Sequence, residues 1–209
     1  MGADFRGRGL PTLICWLAKA RGPYPQAMII NVVDIEATCW AKDEPARHVS
    51  EIIEIGLTTV DLTAGERLAK HKILVKPERS TVSEFCTELT GLTQEEVDSG
   101  VSFAEACDLL ATAHKSADRP WTSWGDYDRS LFLRQCAAVG VAYPFGETHV
   151  NAKAVFGSVH RGRHGMKTAL EVTGLPLEGR HHDGADDSWN IAALVLHLQA
   201  GGHWPAWTA

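Results

Sequence analysis

The sequence predicts an α/β domain with a mixed β-sheet. Three strand patterns come first, at residues 28–36, 51–61 and 66–75. The turn residues at 63–65 predict that the second and third strands form an antiparallel hairpin. Amphipathic helical patterns and further short strands follow. This order predicts a sheet with strands of both directions, flanked by helices.

The elements after the hairpin are predicted from helical spacing and from turn residues. A polar loop is expected at 43–48, between the first two strands. A segment at 150–156 is expected to begin as a strand and turn helical. Helices are predicted at 82–89, 93–97, 103–114, 128–139, 166–172 and 185–198, with a short strand at 121–124.

Length and composition indicate one soluble globular domain. The chain has 209 residues, of which 44% are hydrophobic and 22% charged. We expect an irregular extension at 1–27, a folded domain at 28–201 and a tail at 202–209 whose structure the sequence does not define. The net charge of −6 argues against a broad basic footprint for phosphates. A nucleic-acid partner would therefore have to be held locally, by metal ions and a few side chains.

The five cysteines and the apolar segments favour a cytoplasmic protein. The count is odd and no C-x-x-C pattern occurs, so neither a disulfide framework nor a zinc module is indicated. No stretch reaches the roughly 20 apolar residues that span a membrane. The apolar run at 10–18 loosely resembles a signal peptide, but it is short and contains Pro11. A start site assigned too far upstream, with the domain beginning near Met28, is the favoured interpretation.

Two acidic residues, Asp34 and Glu36, close the first strand. Side chains two apart on a strand point to the same face, so the two carboxylates lie together. Two like charges at the end of a core strand repel each other and lose solvation. A divalent cation would make this pair favourable, which predicts a metal-dependent enzyme.

Two further acids fall on apolar helix faces. Asp187 shares a helical face with Ile191, Leu194, Val195 and Leu198, whereas Asp186 points elsewhere. Asp128 is placed in the same way at the start of its own helix. Each aspartate taken alone is best explained as a capping or helix-dipole residue. Together with Asp34 and Glu36 they form an oxygen-rich set without thiols, which suits Mg²⁺ or Mn²⁺ and not zinc.

A histidine precedes the last of these acids. His182 lies five residues before Asp187, in a polar lead-in bounded by glycines. A histidine titrates near neutral pH and can take a proton from water. The alternative is an ordinary surface histidine, and His181 is a near-equal candidate by position.

These residues together resemble the DEDDh 3′→5′ exonucleases of the RNase H-like superfamily. The chain is most similar there to the Eri family, the enhanced-RNAi or histone-mRNA 3′-end exonucleases, over about residues 28–201. Four segments in order carry the resemblance: Asp34-Ile-Glu36-Ala-Thr-Cys39, Phe85-Cys-Thr-Glu-Leu-Thr-Gly-Leu-Thr-Gln94, Ser123-Trp-Gly-Asp-Tyr-Asp128, and His182-Asp-Gly-Ala-Asp-Asp187 with Ser188 and Asn190-Ile-Ala192.

The resemblance implies an RNase H-like fold and a hydrolytic function. It implies that Asp34, Glu36, Asp128 and Asp187 bind two divalent cations, Mg²⁺ or Mn²⁺, and that His182 is the general base. The substrate implied is a nucleic acid with a free 3′ end, RNA in preference to DNA, and the products are nucleoside 5′-monophosphates. Residues implied to contact the substrate are Ala37, Thr38, Phe85, Tyr127 and His182, with core packing as an equal alternative for the two aromatic rings.

Three questions stay open on the sequence alone. A DNA-directed proofreading or repair exonuclease and a non-catalytic nucleic-acid-binding regulator are the alternative functions. The basic residues Arg161, Arg163, His164 and Lys167 either contact the incoming strand or form a solvated loop. The oligomeric state is not predicted.

Overall fold

The structure, a computed structural model, describes residues 27–42 and 49–206. The predicted extension, apart from residue 27, and the predicted loop at 43–48 lie outside the described residues. The described strands are β1 (Ile29–Ala37), β2 (Ile52–Asp61), β3 (Glu66–Leu74), β4 (Trp121–Ser123) and β5 (His149–Asn151). The described helices are α1 (Glu84–Thr90), α2 (Gln94–Asp98), α3 (Phe103–Thr112), α4 (Tyr127–Val139), α5 (Ala152–His160), α6 (Met166–Thr173) and α7 (Gly184–Ala200).

The five strands form one mixed sheet in the order β3-β2-β1-β4-β5. β1 pairs antiparallel with β2 on one side and parallel with β4 on the other. β2 and β3 form the predicted hairpin, and β4 and β5 run parallel. The predicted mixed sheet flanked by helices is therefore confirmed.

Side chains of β1 divide the core into two layers. Ile30 and Val32 pack with α5, α6 and α7, whereas Val33 and Ile35 pack with α3 and α4. Because side chains alternate along a strand, Asp34 and Glu36 share the face of β1 that α7 covers. The central strand thus carries both acids beside the start of the longest helix.

Element boundaries differ slightly from the sequence prediction at some helix ends. α1 begins at Glu84 and not at residue 82, because the Ser83 hydroxyl caps it by accepting from the Cys86 N–H at 3.0 Å. α5 continues to His160, beyond the predicted end at 156. α3 ends at Thr112, two residues early. In the tail, Trp204 is buried against the α7 side of the core.

The four described cysteines, Cys39, Cys86, Cys107 and Cys136, are free thiols. In the part of the chain that the structure describes, no helix combines the length and the apolar character needed to cross a bilayer.

Candidate active site

Three acidic side chains converge at the end of β1. Asp34, Glu36 and Asp187 each offer a carboxylate oxygen, and these oxygens lie within 4.8 Å of one another. Glu36 and Asp187 are buried and Asp34 is half-buried. The structure therefore brings together residues that are about 150 positions apart in the sequence.

Two glycines bring α7 against the sheet. Gly56 lies opposite Asp34 in the β1–β2 pairing, and a Cβ built on Gly56 would stand 1.8 Å from the Gly184 carbonyl oxygen. A Cβ built on Gly184 would itself stand 3.3 Å from the Asp34 carbonyl oxygen. Only residues without side chains allow the first turn of α7 this close to β1 and β2. This close approach places Asp187 beside Asp34 and Glu36 of β1.

Asp128 reaches the same place from the other side of the sheet. β4 is short and pairs with Asn31 and Val32 of β1, so among the described strands none continues along that edge of β1 beyond Val32. Asp128, in the first turn of α4, accepts a hydrogen bond from the Ile35 N–H through Oδ1 at 3.2 Å. This bond ties α4 to β1 between Asp34 and Glu36.

The cluster has a strong excess of negative charge. Burial, and then repulsion from Asp128, Asp187 and Glu36, raise the pKa of Asp34 well above its usual range. Burial, and then the charges of Asp187 and Glu54, raise the pKa of Glu36 to about 8. Burial raises the pKa of Asp128 to about 6. These shifts mean that the ionised cluster is unfavourable without a positive partner.

The donor set fits divalent cations. Within the described residues, no lysine, arginine or histidine forms an ion pair with Asp34, Glu36 or Asp128. Several converging carboxylate oxygens with no thiol are what Mg²⁺ and Mn²⁺ prefer. The acidic cluster is therefore a candidate site for divalent cations.

Both candidate histidines lie against Asp187. The His181 Nδ1 is 2.9 Å from Asp187 Oδ2, and the His182 backbone N–H donates to the same oxygen at 3.0 Å. The two imidazole rings stack with their centroids 4.0 Å apart. Partial burial, and then the nearby His181 and Arg180, lower the pKa of His182. His182 is therefore neutral near pH 7, the form in which an imidazole accepts a proton.

One part of the site was missed by the sequence prediction. Glu54, opposite Glu36 on β2, is buried and accepts a hydrogen bond from the Ala185 N–H at 3.1 Å. Lys72 of β3 pairs with Glu54 at 3.1 Å and with Asp183 at 2.6 Å. Asp183 caps α7 by accepting from the Asp186 N–H at 3.0 Å. This network fixes the start of α7. Its sequence signal was Glu54, a charged residue inside the otherwise apolar run at 52–57 of β2.

The predicted substrate contacts fall into two groups. The residues Phe85 and Tyr127 are 40% and 58% exposed, which favours a surface role over core packing for both. Thr38 is fully buried, and its N–H is already donated to the Glu51 carbonyl at 2.9 Å. Its carbonyl accepts from the Ser50 hydroxyl at 2.8 Å. Ala37 is also buried. Substrate contact by Ala37 and Thr38 stays a prediction.

Comparison with known proteins identifies the family. A family model described as an exonuclease (RNase T) model matches residues 32–195, which is most of the chain. The chain belongs to the exonuclease family. It is 30% identical to the 3′-5′ exonuclease Snipper of Drosophila melanogaster, over 88% of this chain and 74% of that protein. It is 32% identical to the 3′-5′ exoribonuclease 1 of Rattus norvegicus, over 83% of this chain and 53% of that protein.

A solved structure shares both the fold and the family of this exonuclease domain. The nuclease domain of 3′hExo, a DEDDh family member bound to rAMP, superposes with a TM-score of 0.78 and 26% identity. The match covers 88% of this chain and 98% of that one. The resemblance to DEDDh exonucleases and the RNase H-like fold are therefore confirmed. DEDDh exonucleases use divalent metal ions. The chain spans about half the length of the rat exoribonuclease that it matches.

Proposed function

We propose that this exonuclease domain hydrolyses RNA from the 3′ end with the help of two divalent cations, releasing nucleoside 5′-monophosphates. The observation that carries the proposal is the convergence of Asp34, Glu36 and Asp187 within 4.8 Å, with Asp128 tied to the same stretch of β1. Asp34, Glu36 and Asp128 have no cationic partner among the described residues, and such converging carboxylates suit two Mg²⁺ or Mn²⁺ ions.

The four acids act as metal ligands in this proposal. When bound, the two cations would neutralise phosphate charge and make the attacking water more acidic. Three elements of the fold position the ligands. The central strand carries Asp34 and Glu36, α4 carries Asp128 and α7 carries Asp187. Because these elements are packed in the core, the carboxylates are held before a substrate arrives, which limits the reorganisation needed during the reaction.

His182 is proposed as the general base. It accepts a proton from water while the water oxygen forms a bond to the scissile phosphorus. The bond from phosphorus to the 3′ oxygen of the preceding nucleotide then breaks. That oxygen leaves with the bonding electron pair and takes a proton from solvent water, which gives a new 3′ hydroxyl and a nucleoside 5′-monophosphate. The lowered pKa keeps His182 in the accepting form near neutral pH. His181 remains the alternative base, although its ring already contacts Asp187.

RNA is favoured as the substrate because of the relatives. The rat relative is an exoribonuclease, and the nuclease domain of 3′hExo was solved with rAMP. The exposed rings of Phe85 and Tyr127 offer surfaces on which a terminal base can stack. A cytoplasmic location stays a prediction from the sequence.

The first experiment separates the proposed residues from the rest of the surface. Asp34→Asn and His182→Ala are assayed on a 5′-labelled single-stranded RNA with Mg²⁺ or Mn²⁺, and Asp108→Asn, an exposed acid on α3, is the matched control. The wild type and the control should shorten the RNA progressively, and EDTA should stop them. If Asp34→Asn shortens the RNA as fast as the wild type does, Asp34 is not a metal ligand that the reaction needs.

Matched RNA and DNA oligomers decide between the alternatives. Faster hydrolysis of RNA supports the proposal, and faster hydrolysis of DNA supports the proofreading or repair type. Binding of either oligomer without metal-dependent hydrolysis would point to a non-catalytic regulator.

A further inference from the structure

A groove of about 530 Å³ lies beside the candidate active site. We call it the α5 groove. Its walls are the turn before α4, the start of α5 and the loop after α5, including Trp124, Asp126, Tyr127, Lys153, Gly157 and Arg163. Its volume falls within the ~300–1,000 Å³ typical of small-ligand sites. Tyr127 directly precedes Asp128, so the groove begins next to a proposed metal ligand.

The loop that closes the groove is held in place by two contacts. A Cβ built on Gly157 would stand 2.4 Å from the Gly162 carbonyl oxygen, so the loop folds directly onto α5 where that helix has no side chain. The Trp124 indole N–H donates to the His164 carbonyl at 3.2 Å, which joins the loop to the turn before α4. Arg163 lies between these two fixed points and is therefore positioned at the groove.

The groove presents two cationic side chains that form no ion pair within the described part of the chain. Lys153 is half-buried and Arg163 exposed, and neither forms an ion pair with any described residue. The one acid of the lining, Asp126, accepts a hydrogen bond from the Asn151 amide at 2.7 Å. In contrast, Lys70 and Lys72 of β3 are both paired with acids. Two side chains with uncompensated positive charge therefore line one groove of a chain whose net charge is −6.

We propose that the α5 groove binds the sugar-phosphate backbone of the substrate strand upstream of the scissile bond, with Lys153 and Arg163 contacting its phosphates. This proposal rests on the proposed function. It adds that the enzyme holds several nucleotides of the substrate strand and not the terminal one alone. The phosphate contacts add affinity without reading the base sequence. They also explain how an acidic domain holds a polyanion outside the metal site.

Substrate length provides the test. Lys153→Gln, Arg163→Gln and the double variant are assayed on a dinucleotide, which is too short to fill the groove, and on a 5′-labelled RNA of about 12 nucleotides, within the size range of single-strand sites. Lys76→Gln is the matched control, because Lys76 is exposed and follows β3, at the opposite edge of the sheet.

For the longer RNA we expect each single variant to raise KM about three- to tenfold with little change in kcat, as for loss of one phosphate contact. The dependence of log(kcat/KM) on log salt should become shallower by about 0.7 for each cation removed. The dinucleotide and the Lys76→Gln control should show much smaller changes.

The outcomes separate this proposal from the function on which it rests. Hydrolysis of both substrates by the wild type, with no length-dependent loss in the variants, overturns the groove proposal and leaves the exonuclease function intact. Equal losses on both substrates also overturn it, since they place the two cations at the scissile bond. Failure of the wild type to hydrolyse either substrate overturns the proposed function, and the groove proposal with it.

Discussion

Replacing Lys72 with Met should destabilise the fold through a buried carboxylate. Lys72 pairs with Glu54, whose side chain is 1% exposed, and with Asp183, whose side chain is 21% exposed. Burial raises the pKa of Glu54, and the charge of Lys72 opposes that rise. Without Lys72, no lysine or arginine in the described ranges pairs with the Glu54 carboxylate. It must then either stay charged in the core or bind a proton.

The magnitude follows from the exposure of the two partners. Removing one partner of a fully buried ion pair costs about 3–5 kcal/mol, whereas exposed pairs are worth about 0–1 kcal/mol. The Lys72 side chain is 38% exposed. Its loss should therefore lower the free energy of unfolding by an intermediate amount, about 2 kcal/mol. For a domain of this size the corresponding fall in Tm is about 4–8 °C.

Thermal unfolding followed by circular dichroism near neutral pH, with EDTA present, measures this effect. Lys70→Met is the matched control, because Lys70 lies on the same strand and pairs at 2.7 Å with Asp186 nearer the surface. The control should lose less than about 1 kcal/mol. Adding Glu54→Gln to the Lys72→Met protein should recover much of the lost Tm, because a neutral amide needs no cation. Equal losses for the two lysine variants, or no recovery in the double variant, would refute the reasoning.

Three further predictions concern the metal site and its packing. Because the pKa of Glu36 is raised to about 8, its proton stabilises the folded state fully below about pH 4.5, and this stabilisation is lost as the pH rises through about 8. In EDTA, Glu36→Gln should therefore show a smaller fall of Tm between about pH 4.5 and about pH 8 than the wild type. A Gln variant with the wild-type slope would contradict this. Mn²⁺ should raise the wild-type Tm more at pH 8 than at pH 5, because protons compete for the same carboxylates, and an equal rise at both values speaks against carboxylate ligation. Gly56→Ala should lower the free energy of unfolding in urea by more than about 2 kcal/mol and abolish activity, because α7 must move off the sheet. Gly165→Ala is the control and should be near neutral, because a Cβ there meets no atom within 4 Å. Equal effects of the two substitutions would show that the close approach of α7 is unimportant.

The acids of the site could be predicted because each lies on a regular element. Asp34 and Glu36 alternate with apolar residues on a strand, which fixes their common face. Asp187 continues an apolar helical stripe, which distinguishes it from Asp186. The structure agrees, since Asp187 is buried whereas Asp186 pairs with Lys70 nearer the surface. Local periodicity was sufficient in these cases because it determines which way a side chain points.

Contacts that join distant segments could not be read from the sequence. The Lys72 network links β2, β3 and the cap of α7, and no local pattern in β3 singles out Lys72 among its neighbours. The contact between His181 and Asp187 depends on the backbone of the lead-in, where His182 has a φ of 65°. A non-glycine residue rarely adopts this conformation, so a pattern-based prediction does not anticipate it. The close packing of Gly56 on Gly184 is likewise visible only once α7 is docked.

The single oxygen Asp187 Oδ2 receives both the His181 ring and the His182 peptide N–H. If this oxygen binds a metal ion, the same atom also holds the backbone of the proposed base in place. The affinity for the ion and the orientation of the imidazole then depend on one side chain. Substitutions at Asp187 should therefore never separate the two properties, whereas changes in the lead-in loop can disturb the orientation of the imidazole and leave cation uptake intact.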